Sequence, residues 1–345
     1  MTSIRMPAEW EQHRATWIAW PHEAEDWPGK FPCIDWVYAE ICRALALSEV
    51  VEIICLNDQA VLRAKECLEL HKVDLKQCNF HCLATNRSWL RDSAPTAVVK
   101  DGQVSWTQWY FNAWAKYDNF ELDQQVPRYI GEASKLPLVA AQISESRPFV
   151  LEGGAIETDG AGTLIVTQEC LQSEVQCRNP GLSQQDYEAL FLRYLGISKT
   201  IWLEAGCEGD DTHGHIDDVA RFVSRGRVLL AFEDNPSEQF HSISVRNEEI
   251  LKSTTDAEGK PLEVVRLPMP EPLFYGEDRL PASYANFYIA NNTVIVPTFN
   301  DPNDLKALQI IGECFPGRSI RGISAVDLVL GFGTLHCLTQ QEPAL

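Results

Sequence analysis

Histidines and carboxylates are concentrated in one short stretch of the chain, GDDTHGHIDD at residues 209–218. Its ten positions hold four aspartates and two histidines, a pattern that fits a metal site, a catalytic histidine among carboxylates, or an acidic turn before a strand. In extended backbone, residues i and i+2 point to the same face. His215 and Asp217 would therefore share one site, and His213 would join them unless Gly214 bends the chain.

A metal is the weaker hypothesis for the two histidines. Metal hydrolases usually supply a third histidine at ligand spacing or an HExxH helix. The sequence has neither pattern, and its other histidines do not cluster along the chain.

Cys337 is the candidate nucleophile. It lies in GFGTLHCLTQQ (331–341), beside His336 and after a strand-like run at 325–332. A cysteine in such a loop can be activated by a base or by nearby positive charge. The alternative is a buried structural thiol, the commoner role of a free cysteine.

Two further carboxylates stand beside glycine or proline. Asp92 in WLRDSAP (89–95) either binds a ligand or forms a surface ion pair in a turn. Glu152 in LEGGAI (151–156) follows an apolar run and precedes two glycines, which predicts a buried strand end. A buried glutamate needs a partner.

The elements that must position these residues can be predicted from their patterns. Short β-branched or aromatic runs bounded by Gly, Asn, Asp or Pro predict strands at residues 50–56, 96–99, 163–167, 200–203, 219–223, 228–232, 286–290 and 293–297. Helical spacing of apolar residues predicts helices at 34–47, 59–71, 184–195 and 305–314. The segment 254–280, dense in proline and charge, predicts a surface excursion. Interleaved strands and helices indicate an α/β protein.

The composition limits the classes of binding partner and the cellular compartment that can be expected. The formal net charge is −20, from 49 acidic and 29 basic residues, which disfavours nucleic acid and anionic membranes and favours a small cationic substrate. No apolar run approaches eighteen residues, so a membrane span is not expected. The first residues do not resemble a secretory signal, and the eleven cysteines lack CxxC pairs. We therefore expect a cytoplasmic protein.

Ten stretches, taken in order, resemble the agmatine deiminase and bacterial-type peptidylarginine deiminase family, part of the guanidine-modifying superfamily. They cover nearly the whole chain and read MPAEWEQHRATWIAWP, DWPGKF, SWLRDSAP, FNAWAKYDN, EGGAIETDGAGTLIVTQECL, RNP, DDTHGHIDDVARFV, SYANFYIANNTVIVPTF, FPGRSIRGI and GTLHCLTQQEP.

The resemblance implies one catalytic domain over residues 1–345, folded as a five-bladed α/β propeller (pentein) of ββαβ-type modules around a central active site. It implies hydrolysis of a guanidinium to a ureido group with release of ammonia, without a metal or organic cofactor. Asp92 and Asp217 would grip the guanidinium, and Cys337 would attack its carbon. His215 would act as general acid and then as general base, oriented by Glu152.

The resemblance also implies three substrate contacts: Trp89 walls the channel, Asp211 holds the distal amine of agmatine, and Trp27 covers the entrance. Ordinary core packing is the alternative for Trp89.

The sequence departs from the agmatine deiminase pattern at His213, where Asp or Asn is usual, and in RDSAP, which replaces RDxGP. Agmatine is the expected substrate, and a homo-oligomer is compatible with the resemblance. The alternatives are a peptidylarginine or other guanidine deiminase and a metal-dependent hydrolase.

Overall fold

The computed structural model describes residues 4–344, in which short strands and helices alternate. The strands are β1 (Ile4–Arg5), β2 (His13–Ala19), β3 (Val50–Cys55), β4 (Cys78–Cys82), β5 (Thr96–Lys100), β6 (Gln103–Gln108), β7 (Leu138–Ala140), β8 (Gln142–Ser144), β9 (Arg147–Pro148), β10 (Glu157–Thr158), β11 (Thr163–Thr167), β12 (Lys199–Leu203), β13 (Ala220–Ser224), β14 (Arg227–Phe232), β15 (Glu263–Pro268), β16 (Phe274–Tyr275), β17 (Asp278–Arg279), β18 (Tyr288–Ile289), β19 (Thr293–Thr298), β20 (Ser319–Ser324) and β21 (Gln340–Pro343). The helices are α1 (Phe31–Leu45), α2 (Asp58–Leu70), α3 (Leu90–Ser93), α4 (Val126–Ser134), α5 (Gln168–Gln172), α6 (Gln184–Leu195), α7 (Gln239–Ser253), α8 (Asp304–Cys314) and α9 (Leu335–Leu338).

Five sheets of three or four strands within this range repeat one topology. Their strand orders are β1-β5-β6-β7, β10-β11-β12, β13-β14-β15, β18-β19-β20 and β21-β2-β3-β4. In each sheet a central strand pairs antiparallel with one neighbour and parallel with the other. One or two helices lie between the parallel strands, because a parallel pair needs a crossover connection.

The fifth sheet joins both ends of the described chain. β21 pairs antiparallel with β2, so that Trp17 faces Gln340. Cys337 lies in α9, just before β21. This pairing therefore fixes the position of the segment that carries the candidate nucleophile.

Apolar side chains of residues 4–344 form three buried clusters between strands and helices. Strands such as β11 are buried along their whole length, as expected where both faces of a parallel pair are covered. None of the helices in the described range is long and apolar enough to cross a membrane.

Most predicted elements are confirmed. The strand at 163–167 and the helix at 184–195 occur with the predicted bounds, and the predictions at 34–47, 50–56, 59–71, 96–99, 200–203, 219–223, 228–232, 293–297 and 305–314 are shifted by at most three residues. Helix α6 begins with a capping box between Ser183 and Asp186 and ends at Gly196, whose φ is +72°. These local signals fix both of its ends.

Three predictions are wrong in whole or part. Only Tyr288–Ile289 is a strand within 286–290, and the run at 325–332 holds the 3-10 turn Leu328–Gly331 instead of a strand. A short apolar run does not by itself distinguish a strand from a buried turn. The segment 254–280 is not merely a surface excursion, because it contains β15, which pairs with β14 and buries Leu267.

Candidate active site

One turn from each of the five sheets converges on a common point. Each turn directly precedes the strand that pairs antiparallel with the central strand of its sheet: β5, β10, β13, β18 or β21. In that order, the turns carry Asp92, Glu152, Asp217, Asn286 and Cys337. The repeated topology thus brings together side chains that are far apart in the sequence.

A cavity of about 330 Å³ opens above this point. Asp92 and Cys337 line it and are nearly buried, while Trp89 and Trp114 form part of its wall. Its more exposed lining includes the acidic residues Glu23, Glu25, Asp211 and Asp278. The cavity is therefore suited to a cationic ligand.

His215 is buried between two carboxylates. Its Nδ1 lies 3.8 Å from Asp92 Oδ2, and its Nε2 lies 3.7 Å from Glu152 Oε2. Within residues 4–344 neither ring nitrogen has a hydrogen-bond partner. Burial lowers the pKa of His215, but Asp92 and Glu152 raise it more, to about 10. The ring is therefore protonated at neutral pH and can act as a general acid.

Glu152 is fixed by a buried arginine. Arg178 Nε donates to Glu152 Oε1 at 3.1 Å, and both side chains are fully buried. Burial raises the pKa of Glu152, but Arg178 and His215 outweigh this and hold the pKa below its usual range. The carboxylate stays ionised, with its second oxygen directed at His215.

Asp92 and Asp217 differ in the groups that bind them. Asp92 accepts hydrogen bonds from the Gly154 N–H and from the Trp114 indole, both at 2.9 Å. Asp217 Oδ2 accepts one from His336 Nδ1 at 2.7 Å, whereas Oδ1 has no partner in the described part of the chain. Burial raises the pKa of Asp92. For Asp217 the effect of burial is outweighed, chiefly by the hydrogen bond from His336, so its pKa is lowered.

The Cys337 sulfur contacts groups from two other turns. Asn286 Nδ2 donates to Sγ at 3.2 Å, and the thiol donates to Asp217 Oδ2 at 3.7 Å. Burial, followed by the charges of Asp217 and Asp218, raises the pKa of Cys337 well above its usual value. The thiol is thus protonated without a ligand, and a bound cation would favour the thiolate.

The whole chain matches known deiminases. The profile of the Porphyromonas-type peptidyl-arginine deiminase family covers residues 5–343. The chain belongs to this family. An agmatine deiminase of Pseudomonas syringae pv. tomato is 35% identical over 99% of this chain and 96% of its own length. The solved agmatine deiminase of Enterococcus faecalis has a TM-score of 0.90 at 30% identity, and a cysteine-to-serine variant from C. jejuni with bound substrate has 0.87 at 28%. In both, 99% of this chain and 96% of that chain are covered.

Membership of the deiminase family identifies the fold class of the protein and the class of reaction that it catalyses. The fold is the mixed α/β fold of the agmatine deiminase structures. The protein is an enzyme of the deiminase class, which hydrolyses C–N bonds of amidino groups.

Two of the three residues expected to contact the substrate line the cavity, and the third does not. Trp89 lines the cavity, and Asp211 lines it further out, ion-paired with Lys116 and accepting a hydrogen bond from the Tyr117 hydroxyl at 2.9 Å. Trp27 does not cover the entrance. It is fully buried, and the centre of its ring lies 5.5 Å from that of Trp89. Its indole N–H donates to a backbone carbonyl.

The two histidines of GDDTHGHIDD do not share a site. Backbone φ values of +64° at His213 and +97° at Gly214 bend the chain, which is the exception that the sequence left open, and residues 216–218 form a 3-10 turn instead of extended backbone. His213 Nε2 lies 3.0 Å from Ser173 Oγ, and its Nδ1 lies 3.9 Å from Glu169 Oε1. Asp and Asn tolerate a positive φ, so the backbone conformation at His213 explains why they suit this position.

Possible metal ligands are grouped elsewhere in the deiminase site. The ligand atoms of Asp217, Asp218 and Cys337 lie within 4.8 Å of one another, as do those of Glu152, Cys170 and His215. His213 belongs to neither described group, so the metal site built on both histidines is not formed. Asp218 is buried, and burial raises its pKa well above the usual value.

Sequence reasoning missed five residues around the site: Glu9, Trp114, Arg178, Asn286 and His336. Arg178 and Asn286 occur in the motifs RNP and SYANFY, and His336 stands next to the candidate nucleophile. No spacing rule connects them with Asp217 or Glu152, since each comes from a different part of the chain.

Proposed function

We propose that the protein is an agmatine deiminase, which hydrolyses agmatine to N-carbamoylputrescine and ammonia. The observation that carries the proposal is the placement of Cys337 beside Asp217, with His215 between Asp92 and Glu152. This set supplies carboxylates for a guanidinium, a nucleophile for its carbon and an acid for its leaving group. The similarity to agmatine deiminases supports the choice of substrate.

The two aspartates suit opposite edges of a guanidinium. This planar cation presents pairs of N–H groups that match carboxylates. Asp217 offers its unpaired Oδ1, and Asp92 is held in place by Gly154 and Trp114. Binding between them presents the guanidinium carbon to Cys337 and lowers the barrier through proximity. As the cation binds, the thiol proton leaves to solvent.

The thiolate of Cys337 then forms a C–S bond with the guanidinium carbon. The departing amino group takes a proton from His215, its C–N bond breaks, and ammonia leaves behind an amidino-thioether. A water molecule gives a proton to His215 and adds to the same carbon. The C–S bond breaks, the added hydroxyl gives its proton to sulfur, and the ureido product is released. Glu152 orients His215 through both proton transfers.

The outer cavity supports a substrate with a second positive charge. Asp211 is the candidate partner for the distal ammonium of agmatine, which would compete there with Lys116. Arg87, which also lines the cavity, is ion-paired with Asp26 at 2.6 Å. It is therefore poorly placed to attract the carboxylate of free arginine, and agmatine fits this lining better.

We further infer that the five sheets surround the site as the blades of a propeller in one domain spanning residues 1–345. The convergence of equivalent turns from all five sheets supports this arrangement. In a closed ring of five blades, the five turns would lie at the centre in equivalent positions.

Ammonia release from agmatine, arginine and an arginyl peptide tests the function. We expect agmatine to be turned over with the highest kcat/KM, and Cys337→Ala to abolish turnover while the protein remains folded. Cys33→Ala, at an exposed cysteine, is the matched control and should retain activity. Preference for the peptide, or activity in Cys337→Ala, would falsify the proposal.

A further inference from the structure

His336 joins the guanidinium site to a buried charge network. The residue lies in α9 directly before Cys337 and is 1% exposed. Its Nδ1 lies 2.7 Å from Asp217 Oδ2, and its Nε2 lies 2.8 Å from Glu9 Oε2. Each ring nitrogen of His336 therefore lies within hydrogen-bond distance of one carboxylate oxygen, and the ring is held between Asp217 and Glu9.

Both carboxylates next to His336 are ionised. Burial raises the pKa of Glu9, but Arg221, His336 and Arg91 outweigh this and hold the pKa well below its usual range. The pKa of Asp217 is likewise lowered, because the His336 hydrogen bond outweighs burial. The hydrogen bonds to His336 are therefore charge-assisted, the stronger kind.

Glu9 is itself held rigidly. Its Oε1 accepts from Arg221 Nη2 at 2.9 Å and from the Ile289 N–H at 2.8 Å. Arg221 is fully buried and also donates to Glu157 at 2.9 Å. A fixed Glu9 fixes the ring of His336, and the ring in turn fixes one oxygen of Asp217.

We infer that His336 is a positioning residue that holds Asp217 by Oδ2, so that Oδ1 remains directed toward the guanidinium of the substrate. The inference rests on the proposed function in that Asp217 must bind a guanidinium. It does not depend on which guanidine is the substrate. His336 does not touch the reacting atoms and acts through Asp217.

Two substitutions separate the two hydrogen bonds of His336. In His336→Asn the side-chain amide occupies the place of Nδ1 and can still donate to Asp217. In His336→Gln the amide reaches the place of Nε2 and can donate only to Glu9. The two variants are matched in polarity and in the loss of the ring, so they differ mainly in which carboxylate keeps its donor.

Binding of methylguanidine, measured by calorimetry in a Cys337→Ser background, tests the inference without turnover. We expect His336→Gln to bind about ten- to a hundredfold more weakly than His336→Asn, the usual effect of losing a hydrogen bond to a charged group. In the Cys337-containing enzyme, the same split should appear in KM more than in kcat. Equal binding by both variants, with or without equal loss of thermal stability, would show that His336 is only structural.

The intact enzyme provides a second measurement, should His336→Gln fail to fold. Ring ¹⁵N signals of His336, assigned by their loss in His336→Asn, should show an Nδ1–H that is hydrogen-bonded to Asp217. An Nδ1 without that hydrogen bond would overturn the inference. Failure of the agmatine assignment would look different: agmatine would not be turned over, while methylguanidine would still distinguish the two variants.

Discussion

The charge on His215 depends on its two neighbouring carboxylates. Burial alone would favour the neutral ring, yet Asp92 and Glu152 raise the pKa to about 10, from an ordinary value of 6.5. A general acid of this kind is in its active form throughout the neutral range. The same interactions stabilise the folded protein, since the pKa in the folded state is the higher one. That contribution is complete below pH 6.5 and is lost as the pH rises through about 10.

Glu152→Gln should shift the alkaline limb of the pH–kcat/KM profile, which reports the free enzyme, toward neutrality. The substitution removes a negative charge 3.7 Å from His215 Nε2, so the pKa of His215 falls from about 10 and the acid form is lost at a lower pH. We expect a shift of about one pH unit, which corresponds to about 1.4 kcal/mol. Steady-state ammonia release across pH 6–10, with the exposed Glu66→Gln as the control, measures it. An unmoved limb would mean that Glu152 does not set the proton affinity of His215.

At the scale of elements, the site is built from short turns. Asp92, Glu152, Asp217 and Cys337 could be singled out from the sequence because each stands beside glycine, proline or histidine in a recognisable motif. Glu152 was expected at a strand end and Asp217 in extended backbone, whereas the turns that carry Asp92, Asp217 and Cys337 are 3-10 or α-helical turns of three or four residues. Periodicity cannot reveal turns of that length. The glycines around them mark close contacts that propensity alone does not predict.

Gly154→Ala should disable the site without unfolding the protein. A Cβ at Gly154 would overlap the ring of His215 and lie 2.9 Å from Asp92 Oδ1. We expect kcat/KM to fall by at least about a hundredfold, as small displacements of reacting groups cost about that much. Gly312→Ala in α8, where the new Cβ meets Ile320 at an ordinary 3.4 Å, is the control and should keep full activity. Ammonia release and thermal melts together check this. Near-normal turnover in Gly154→Ala would contradict the tight contact.

At the scale of the whole molecule, the sequence indicated an α/β protein but not how its sheets are related. β21 completes a sheet with β2, and the two strands lie at opposite ends of the chain, so no local pattern could pair them. Contacts between distant parts of the chain also bring His336 to Glu9 and Asn286 to Cys337. These partners of the reacting groups were missed because they depend on the assembled sheets. The groups proposed to face the substrate could be singled out because they stand in local motifs.

The net charge of −20 is also a property of the whole molecule, and it should speed the capture of agmatine. Agmatine carries two positive charges, and the outer cavity is lined by acidic residues such as Glu23 and Asp278. Steering of this kind weakens as salt shortens the Debye length from about 30 Å at 0.01 M to about 8 Å at 0.15 M. We expect kcat/KM for agmatine to fall severalfold over that range, while kcat at saturation changes little. Methylguanidine, with one charge, should show a smaller decrease in the same assay. Equal salt dependence for both compounds would mean that the acidic surface does not select for the second charge.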